Sequence, residues 1–193
     1  MEVLKDMLAK ITLQDVVAFL SFVAVVIGGG FALHQWRIGI KQKRAETVEK
    51  LIKSVRDDMD IATIMDIVDW DKGFCYNGEF RLKDEGLRKT MGGISNEELF
   101  KMIDRTLAHF SYICYLKNLN LIKSKDMRNF EYEIRRLADN GHIANYLHSL
   151  HLWSESLGVS MSFSFLLDYC IVKGYFTEDI KDRNSSKYTN WLL

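Results

Sequence analysis

An uncharged apolar run near the N-terminus restricts the fold of this chain more than any other feature. Residues 16–33 read VVAFLSFVAVVIGGGFAL and lie between Asp15 and His34, with Ser21 as their one hydroxyl side chain. A helix of that length covers about 27 Å, close to the thickness of a bilayer's hydrocarbon layer. A buried helix of a soluble domain usually keeps a polar stripe, which this run lacks. The run therefore predicts a transmembrane helix over residues 16–36.

The charges on either side of the run predict its orientation. Residues 1–15 carry three acids against two lysines, unlike the basic start of a cleaved signal peptide, although Gly30 and Ala32 would suit a cleavage site. Residues 37–45 carry four Lys or Arg and no acid. By the positive-inside rule the basic side stays in the cytoplasm, so we expect a single-pass protein with a cytoplasmic C-terminal domain. Residues 1–15 are then a short extracytoplasmic interfacial peptide.

Small residues inside the predicted span indicate where two such helices approach each other. Ala24, Gly28 and Ala32 recur every four residues, the small-xxx-small pattern of closely packed membrane helices. The other reading is that Gly and Ala are simply common in spans. Gly28, Gly29 and Gly30 also weaken the helix locally, which suggests a hinge.

The amino-acid composition excludes several classes of protein and favours a helical one. The 193 residues hold 26 Lys plus Arg against 26 Asp plus Glu, three Cys and no Pro. Zero net charge argues against a protein that coats duplex nucleic acid. Three scattered cysteines exclude a disulfide scaffold and suit a reducing compartment. The absence of proline favours long unbroken helices.

Residues 37–69 predict a basic juxtamembrane helix with a heptad pattern. Residues 37–56 hold seven Lys or Arg against two acids, and an acidic block begins at Asp57. The apolar positions of the heptad are spaced three and four residues apart, which predicts one continuous helix. Its seam serves either oligomer formation or packing on the chain's own domain. The seam consists of Ala45, Val48, Ile52, Val55, Met59 and Ala62.

Residues 70–193 predict a cytosolic helical domain with one small β-hairpin. Asn77-Gly78 is a hairpin turn signal, and Ser95 with Glu98 forms a capping box. The apolar periodicity predicts helices over residues 95–118, 124–139, 142–157 and 163–173. Residues 181–193 look like a flexible tail with an apolar end. The predicted fold class is mostly α, with an N-terminal single transmembrane helix that continues into this domain.

No catalytic signature is found in the sequence. Arg88-Lys89-Thr90 lacks the glycines of a phosphate-binding loop, and HExxH, CxxC and GxSxG motifs are absent. We therefore expect no enzyme, no catalytic residue and no cofactor. His148, His151 and Glu155 share one helix face, whose chemistry would suit zinc. A solvated or interface-lining polar face is the preferred interpretation, so we predict no metal site.

Cations interleaved with aromatic rings on two predicted helices suggest a binding surface. Arg forks suit phosphates, and Tyr or His rings suit stacking on bases. The alternative is the ordinary polar surface of a soluble helix. The first row is Lys101, Arg105, His109 and Tyr112, and the second is Arg128, Tyr132, Arg135 and Arg136.

This plan resembles a known class of small membrane proteins. A span containing AVVIGGGFA, a basic helix beginning RIGIKQKRAETVEKL and a small helical domain together resemble the single-span effectors of type III CRISPR systems. The resemblance implies antiviral defence at the bacterial inner membrane, with a domain that binds cyclic tetra-adenylate and then perturbs the bilayer. RAETVEKL and TLAHFSYICYLKNLNLI also resemble bacterial membrane-anchored helical domains of unknown function, which implies the fold alone.

Under the first resemblance we expect a homo-oligomer, with a tetramer favoured. Four subunits would each place one Lys101/Arg105 row around a ring of four nucleotides. The competing hypothesis is a constitutive scaffold, which docks a protein partner while its basic stretch holds anionic membrane lipids. A hydrolase is a distant third, since it would need a metal at His148, His151 and Glu155.

Overall fold

The computed structural model describes residues 13–68, 73–83 and 93–191. It divides the chain into two compact units, Met1–Thr47 and Val48–Leu193. The described residues form six α-helices, one two-stranded sheet and a short 3₁₀ helix over Glu178–Lys181. This confirms the predicted fold class, mostly α with a small hairpin. The elements are α1 Leu13–Asp57, α2 Met59–Val68, β1 Phe74–Tyr76, β2 Phe80–Leu82, α3 Asn96–Asn118, α4 Ser124–Asp139, α5 Gly141–Ser156 and α6 Ser164–Val172.

Helix α1 contains the apolar run. Among the described residues it is the one helix long and apolar enough to cross a membrane, and no residue of its most apolar window is buried. Large side chains such as Phe19, Phe22 and Val25 are exposed along it. Covering each such side chain is worth about 1.5–3 kcal/mol relative to water. A helix from the core of a soluble domain would be covered by its own chain, so this observation favours a membrane or another apolar partner.

The predicted continuous helix over residues 37–69 is interrupted at Asp58. This carboxylate accepts hydrogen bonds from the N–H groups of Asp60 and Ile61, at 3.0 and 3.3 Å, and so caps the start of α2. Asp is a favoured capping residue because its short side chain reaches the orphan N–H groups of the first turn. The heptad interpretation missed the break because no Gly or Pro marks it.

The break separates the heptad seam into two parts. Met59, the first of the two seam residues after the break, is 77% exposed. Val48, Ile52 and Val55 pack against the core of the second unit. The seam therefore supports packing on the chain's own domain, the alternative to a continuous oligomeric seam.

The core of the second unit is built around α3, which packs against α2, α6 and β2. Apolar residues at helical spacing are buried in both α3 and α4, which agrees with the periodicity that predicted these two helices. Their spacing places them on one face of each helix. They are Leu99, Ile103, Leu107, Phe110 and Cys114 of α3, and Met127, Phe130, Ile134, Leu137 and Ala138 of α4.

Local signals define the helix ends. Ser95 Oγ accepts from the N–H of Glu98 at 3.2 Å, and Glu98 accepts from the N–H of Ser95 at 2.8 Å, which confirms the capping box. Asn140 caps α5 through its Oδ1, which accepts from the N–H groups of His142 and Ile143 at 3.0 and 3.2 Å. After α5 and α6, Gly158 and Gly174 adopt positive φ values of 66° and 71°, a conformation that glycine tolerates best.

The predicted hairpin is also confirmed. Strands β1 and β2 are antiparallel with Tyr76 opposite Phe80, and Gly78 in the turn has a φ of 91°. The rings of Tyr76 and Phe80 are buried against Tyr146 of α5, with centroids 5.2 and 5.1 Å away. The short sheet is thus attached to the helical core through aromatic contacts.

The prediction of a flexible C-terminal tail is wrong for the described part of it. The N–H of Trp191 donates to Ser149 Oγ at 3.0 Å, and the N–H of Thr189 donates to Asn145 Oδ1 at 3.0 Å. Tyr188 is buried against α5. The polar residues that suggest a loop here find their partners on α5, which no local sequence pattern reveals.

Candidate ligand-binding site

The first predicted row lies on the face of α3 that meets the junction of α1 and α2. Arg105 Nη1 lies 2.9 Å from Asp60 Oδ2, and Nη2 lies 3.1 Å from Asp58 Oδ2. Lys101 Nζ lies 2.6 Å from Glu97 Oε1, one turn earlier on α3. The hydrogen bond and charge of Glu97 raise the pKa of Lys101. Both cations are therefore already paired with carboxylates of the same chain.

His109 and Tyr112 complete the first row in different environments. The hydroxyl of Ser54 donates to the carbonyl of Leu51 at 2.8 Å, so its oxygen accepts from His109 Nε2 at 3.3 Å. Burial lowers the pKa of His109, the charge of Asp58 opposes this shift, and that of Arg105 adds to it. The ring is thus a neutral, half-buried contact near pH 7. Tyr112 is exposed beside Tyr115.

The second predicted row lies on α4 and is divided between surface and interior. Arg135 lies 3.5 Å from Asp139, and both side chains are largely exposed. Arg136 is mostly buried, pairs with Glu133 at 2.6 Å and donates to the carbonyl of Met65 in α2.

The aromatic member of this row is also in contact with a cation. The guanidinium of Arg136 lies 5.4 Å from the ring centroid of Tyr132, which is itself exposed. Arg128 is exposed near the charge of Glu131. The two rows contact the α1–α2 region from different helices. Arg105 of α3 contacts the start of α2, and Arg136 of α4 contacts it near its end.

A groove of about 350 Å³ lies between the end of α1, α2 and α4. Of the eight predicted binding residues, it contains only Arg136. Sequence patterns did not predict the other residues that line this groove, because they come from three separate helices. Its walls combine apolar side chains with two arginines and two carboxylates, and Arg136 is paired with Glu133 of the same wall, which leaves Arg56 as the arginine available to an anionic group. The lining residues are Ile52, Val55, Arg56, Ala62, Met65, Asp66, Asn129, Phe130, Glu133 and Arg136.

A second groove, of about 630 Å³, lies between the start of α2 and the start of α3. Lys101 is its one predicted residue. Asp60 and Glu98 also line it, so carboxylates outnumber cations there. This balance disfavours an anionic ligand compared with the groove at α4.

The face of His148, His151 and Glu155 differs from its prediction as a solvated or interface-lining surface at His148 alone, since His151 is partly exposed and Glu155 is exposed. His148 is 1% exposed, and its Nδ1–H donates to the carbonyl of Ile180 at 2.8 Å. It is a hydrogen-bonded core histidine that contacts the C-terminal segment. Within residues 13–68, 73–83 and 93–191, no group of three or more His, Cys, Asp or Glu is arranged to hold a metal ion.

The small residues of α1 present an open surface. A Cβ atom added at Gly28, Gly29 or Gly30 would meet no described atom outside its own stretch of helix within 4 Å. Ala24 and Ala32 are exposed on the same helix. The predicted association surface is therefore not covered by any other part of the described residues.

Comparison of the chain with protein-family models, with curated proteins and with solved structures finds no significant match.

Proposed function

We propose that this protein is a single-span effector of the bacterial inner membrane, with a cytoplasmic helical domain that binds a cyclic oligoadenylate, in antiviral defence. Ligand binding acts on the membrane through the transmembrane helices, and no bond is broken. The observation that carries the proposal is that α1 contains the apolar span and also, through Ile52, Val55 and Arg56, forms one wall of the α1–α2–α4 groove. A ligand in this groove contacts that helix directly.

The chemistry of the groove supports a nucleotide ligand. Arg56 offers an exposed guanidinium group for phosphate, and the partly exposed Ile52 and Val55 offer an apolar surface for a base. Arg56 has no hydrogen bond or ion pair among the described residues, and it is exposed. Asn129 adds an amide that both donates and accepts.

The size of the groove supports a shared ligand. A volume of about 350 Å³ is near the lower end of the range for small-molecule sites, so one subunit would hold one nucleotide of the ring. Cyclic tetra-adenylate would then be held by four copies around a fourfold axis. Ala24, Gly28 and Ala32 supply the open surface at which the membrane helices of such a tetramer associate.

The test is binding by the full chain in detergent. Radiolabelled cyclic tetra-adenylate should shift the wild-type protein on a native gel at micromolar concentration. Arg56→Ala should weaken binding about tenfold or more, since a hydrogen bond to a charged group is worth about 1.5–3 kcal/mol. Arg105→Ala tests the α3 row in the same way. Arg81→Ala, an exposed arginine of the hairpin that pairs with Glu79, is the matched control.

Two results would contradict this proposal. Wild-type protein that leaves the labelled ligand unshifted has no cyclic tetra-adenylate site. Binding that Arg56→Ala, Arg105→Ala and Arg81→Ala reduce equally does not involve the proposed surfaces. A membrane effect is read separately, as dye release from proteoliposomes when the ligand is added.

The second candidate function is a constitutive anchor that docks a protein partner at the inner membrane. The pairing of Lys101, Arg105 and Arg135 with carboxylates favours it, because these cations are partly neutralised already. This function requires no nucleotide and no dye release. The same two measurements therefore distinguish it from the effector.

A further inference from the structure

We propose that the turn between α3 and α4, residues 117–125, is a docking surface for an anionic lipid bilayer. This surface is distinct from the groove, and its role does not depend on a nucleotide ligand. It rests on the membrane anchor in the proposed function. Three properties of this turn support lipid binding, namely the exposure of its leucines, the hydrogen bonds that hold it, and its charge.

Two leucines of the turn point into solvent although a third apolar residue beside them is fully buried. Leu119 is 47% exposed and Leu121 is 54% exposed, whereas Ile122 is 0% exposed. Tyr115, one turn before Leu119 on α3, is also partly exposed. Single exposed leucines are common on proteins, but a group of them on one short element marks an interaction site.

Backbone hydrogen bonds hold these leucines in place. Asn120 adopts a left-handed φ of 59°, its N–H donates to the carbonyl of Lys117 at 3.1 Å, and the N–H of Leu121 donates to that of Leu116 at 3.0 Å. This is the pattern of a Schellman motif, in which the residue at the position of Leu121 normally packs back on the helix. Here Ile122 is the buried residue, and Leu121 stays outside.

The turn carries a local excess of positive charge in a chain with zero net charge. Residues 112–129 contain three Lys and one Arg against a single acid, Asp126. Asp126 Oδ2 accepts from the backbone N–H of Lys123 at 2.8 Å, so this carboxylate serves the start of α4. Lysine stems lie along apolar surfaces while their ammonium groups reach lipid phosphates. The cations are Lys117, Lys123, Lys125 and Arg128.

The composition of the turn favours lipid over a protein partner. Protein interfaces are depleted in lysine, and their centres are rich in aromatic residues and arginine. Here lysines surround exposed leucines, which matches the distribution of residues in elements that insert into the headgroup region of anionic membranes. A second copy of the chain would bring the same positive charge against itself.

The experiment places an environment-sensitive dye on the turn of the full chain in nanodiscs. Cys75 is replaced by Ser, and Leu121→Cys carries an NBD label, since Cys114 and Cys170 are buried. One set of discs contains only phosphatidylcholine, and the other includes phosphatidylglycerol. In anionic discs the emission should shift to the blue and quenching by soluble iodide should fall several-fold. The matched control is Leu157→Cys, an exposed leucine at the end of α5.

Charge variants test the electrostatic part of the proposal. The triple variant Lys117→Gln/Lys123→Gln/Lys125→Gln should remove the difference between the two lipids, and raised salt should weaken it. If the emission of the dye at position 121 is unchanged in anionic discs, this inference is wrong and the membrane anchor is unaffected. An equal blue shift of the dye at position 157 has the same consequence. A blue shift in detergent that grows with protein concentration indicates a second copy and also overturns it. A chain that fails to enter discs contradicts both this inference and the membrane anchor.

Discussion

Arg105 Nη1 lies 2.9 Å from Asp60 Oδ2. The same guanidinium lies 3.1 Å from Asp58, so one arginine of α3 holds the two carboxylates at the break between α1 and α2. Asp58 has a further role, because it caps α2 through the N–H groups of Asp60 and Ile61. The break is thus maintained by one capping residue and by the two long-range ion pairs of Arg105.

We expect Arg105→Ala to have a small effect on stability. The arginine side chain is 63% exposed, so its ion pairs are screened and together contribute about 0.5–1 kcal/mol. Asp58→Ala should cost about 1–2 kcal/mol, because it loses the helix cap as well as the ion pair. Thermal unfolding of the full chain in detergent, followed by near-UV circular dichroism, measures both. An equal loss in the two variants would contradict the capping role.

A pH-dependent contribution is expected from Asp104 of α3. Burial raises its pKa above the ordinary value of 3.8, and a hydrogen bond from Tyr146 partly opposes the shift. Because the pKa of Asp104 is higher in the folded chain than in the unfolded chain, its contribution to the free energy of unfolding is fully present below pH 3.8. This contribution is lost as the pH rises through the pKa of the folded state. Asp104→Asn should therefore gain stability relative to wild type as the pH rises above about 4.

The comparison of Asp104→Asn with wild type has an internal control. Hydrogen bonds from Ser95 and Lys173 lower the pKa values of Glu98 and Glu131 respectively, so both carboxylates lose their contribution as the pH falls below 4.5. These losses occur in wild type and variant alike, and the difference between the two proteins isolates Asp104. A difference in unfolding free energy between the two proteins that stays constant from about pH 3 to about pH 7 would contradict the prediction, because ordinary carboxyl groups titrate within this range.

Tyr146→Phe tests the partner of the same hydrogen bond. The Tyr146 hydroxyl donates to Asp104 Oδ1 at 2.6 Å. Removal of this donor leaves a partly buried carboxylate with one partner fewer, which should cost about 1–3 kcal/mol at neutral pH. The loss should be much smaller in an Asp104→Ala background, which lacks the acceptor oxygen, and a double-mutant cycle of unfolding free energies measures the coupling. Equal losses in both backgrounds would show that Tyr146 acts through packing alone.

The attachment of the C-terminal segment depends on His148. Its Nδ1–H donates to the carbonyl of Ile180 at 2.8 Å, and its ring lies 5.6 Å from that of Tyr188. We expect His148→Ala to destabilise the fold by about 2–4 kcal/mol, because it creates a cavity and leaves the buried carbonyl unpaired. Hydrogen exchange should rise mainly in residues 178–191. The matched control is His151→Ala on the same helix, which should leave that exchange unchanged.

Self-association of the membrane helix is expected to depend on Gly28. Within the described residues, no atom outside the neighbouring stretch of helix lies within 4 Å of a Cβ added there, so we expect the monomer to tolerate Gly28→Ile. The bulky side chain keeps two helices apart where a small-xxx-small surface would bring them together. Crosslinking or energy transfer in micelles should therefore decrease. Val25→Ile, outside the Ala24–Gly28–Ala32 surface, is the control, and an equal decrease in both variants would contradict the proposed surface.

Local patterns in the sequence were sufficient to predict most of the helices and the hairpin. The capping box at Ser95, the Asn77-Gly78 turn and the inward face of α3 depend on neighbours within a few residues, so spacing and side-chain type reveal them. The capping role of Asp58 is also local. It was missed because a continuous heptad pattern predicted a helix through the break.

Long-range pairing could not be read from any window of the sequence. Arg105 looks like an open cation on a helix face, but the fold brings Asp60 to it, whereas Lys101 pairs with Glu97 four residues away and is therefore a local pair. His148 was predicted in a polar surface and is buried under the C-terminal segment. The spacing of apolar residues every three or four positions indicates which face of a helix is apolar. Which charged or polar groups are neutralised depends on residues tens of positions away, because only folding brings their atoms within hydrogen-bond distance.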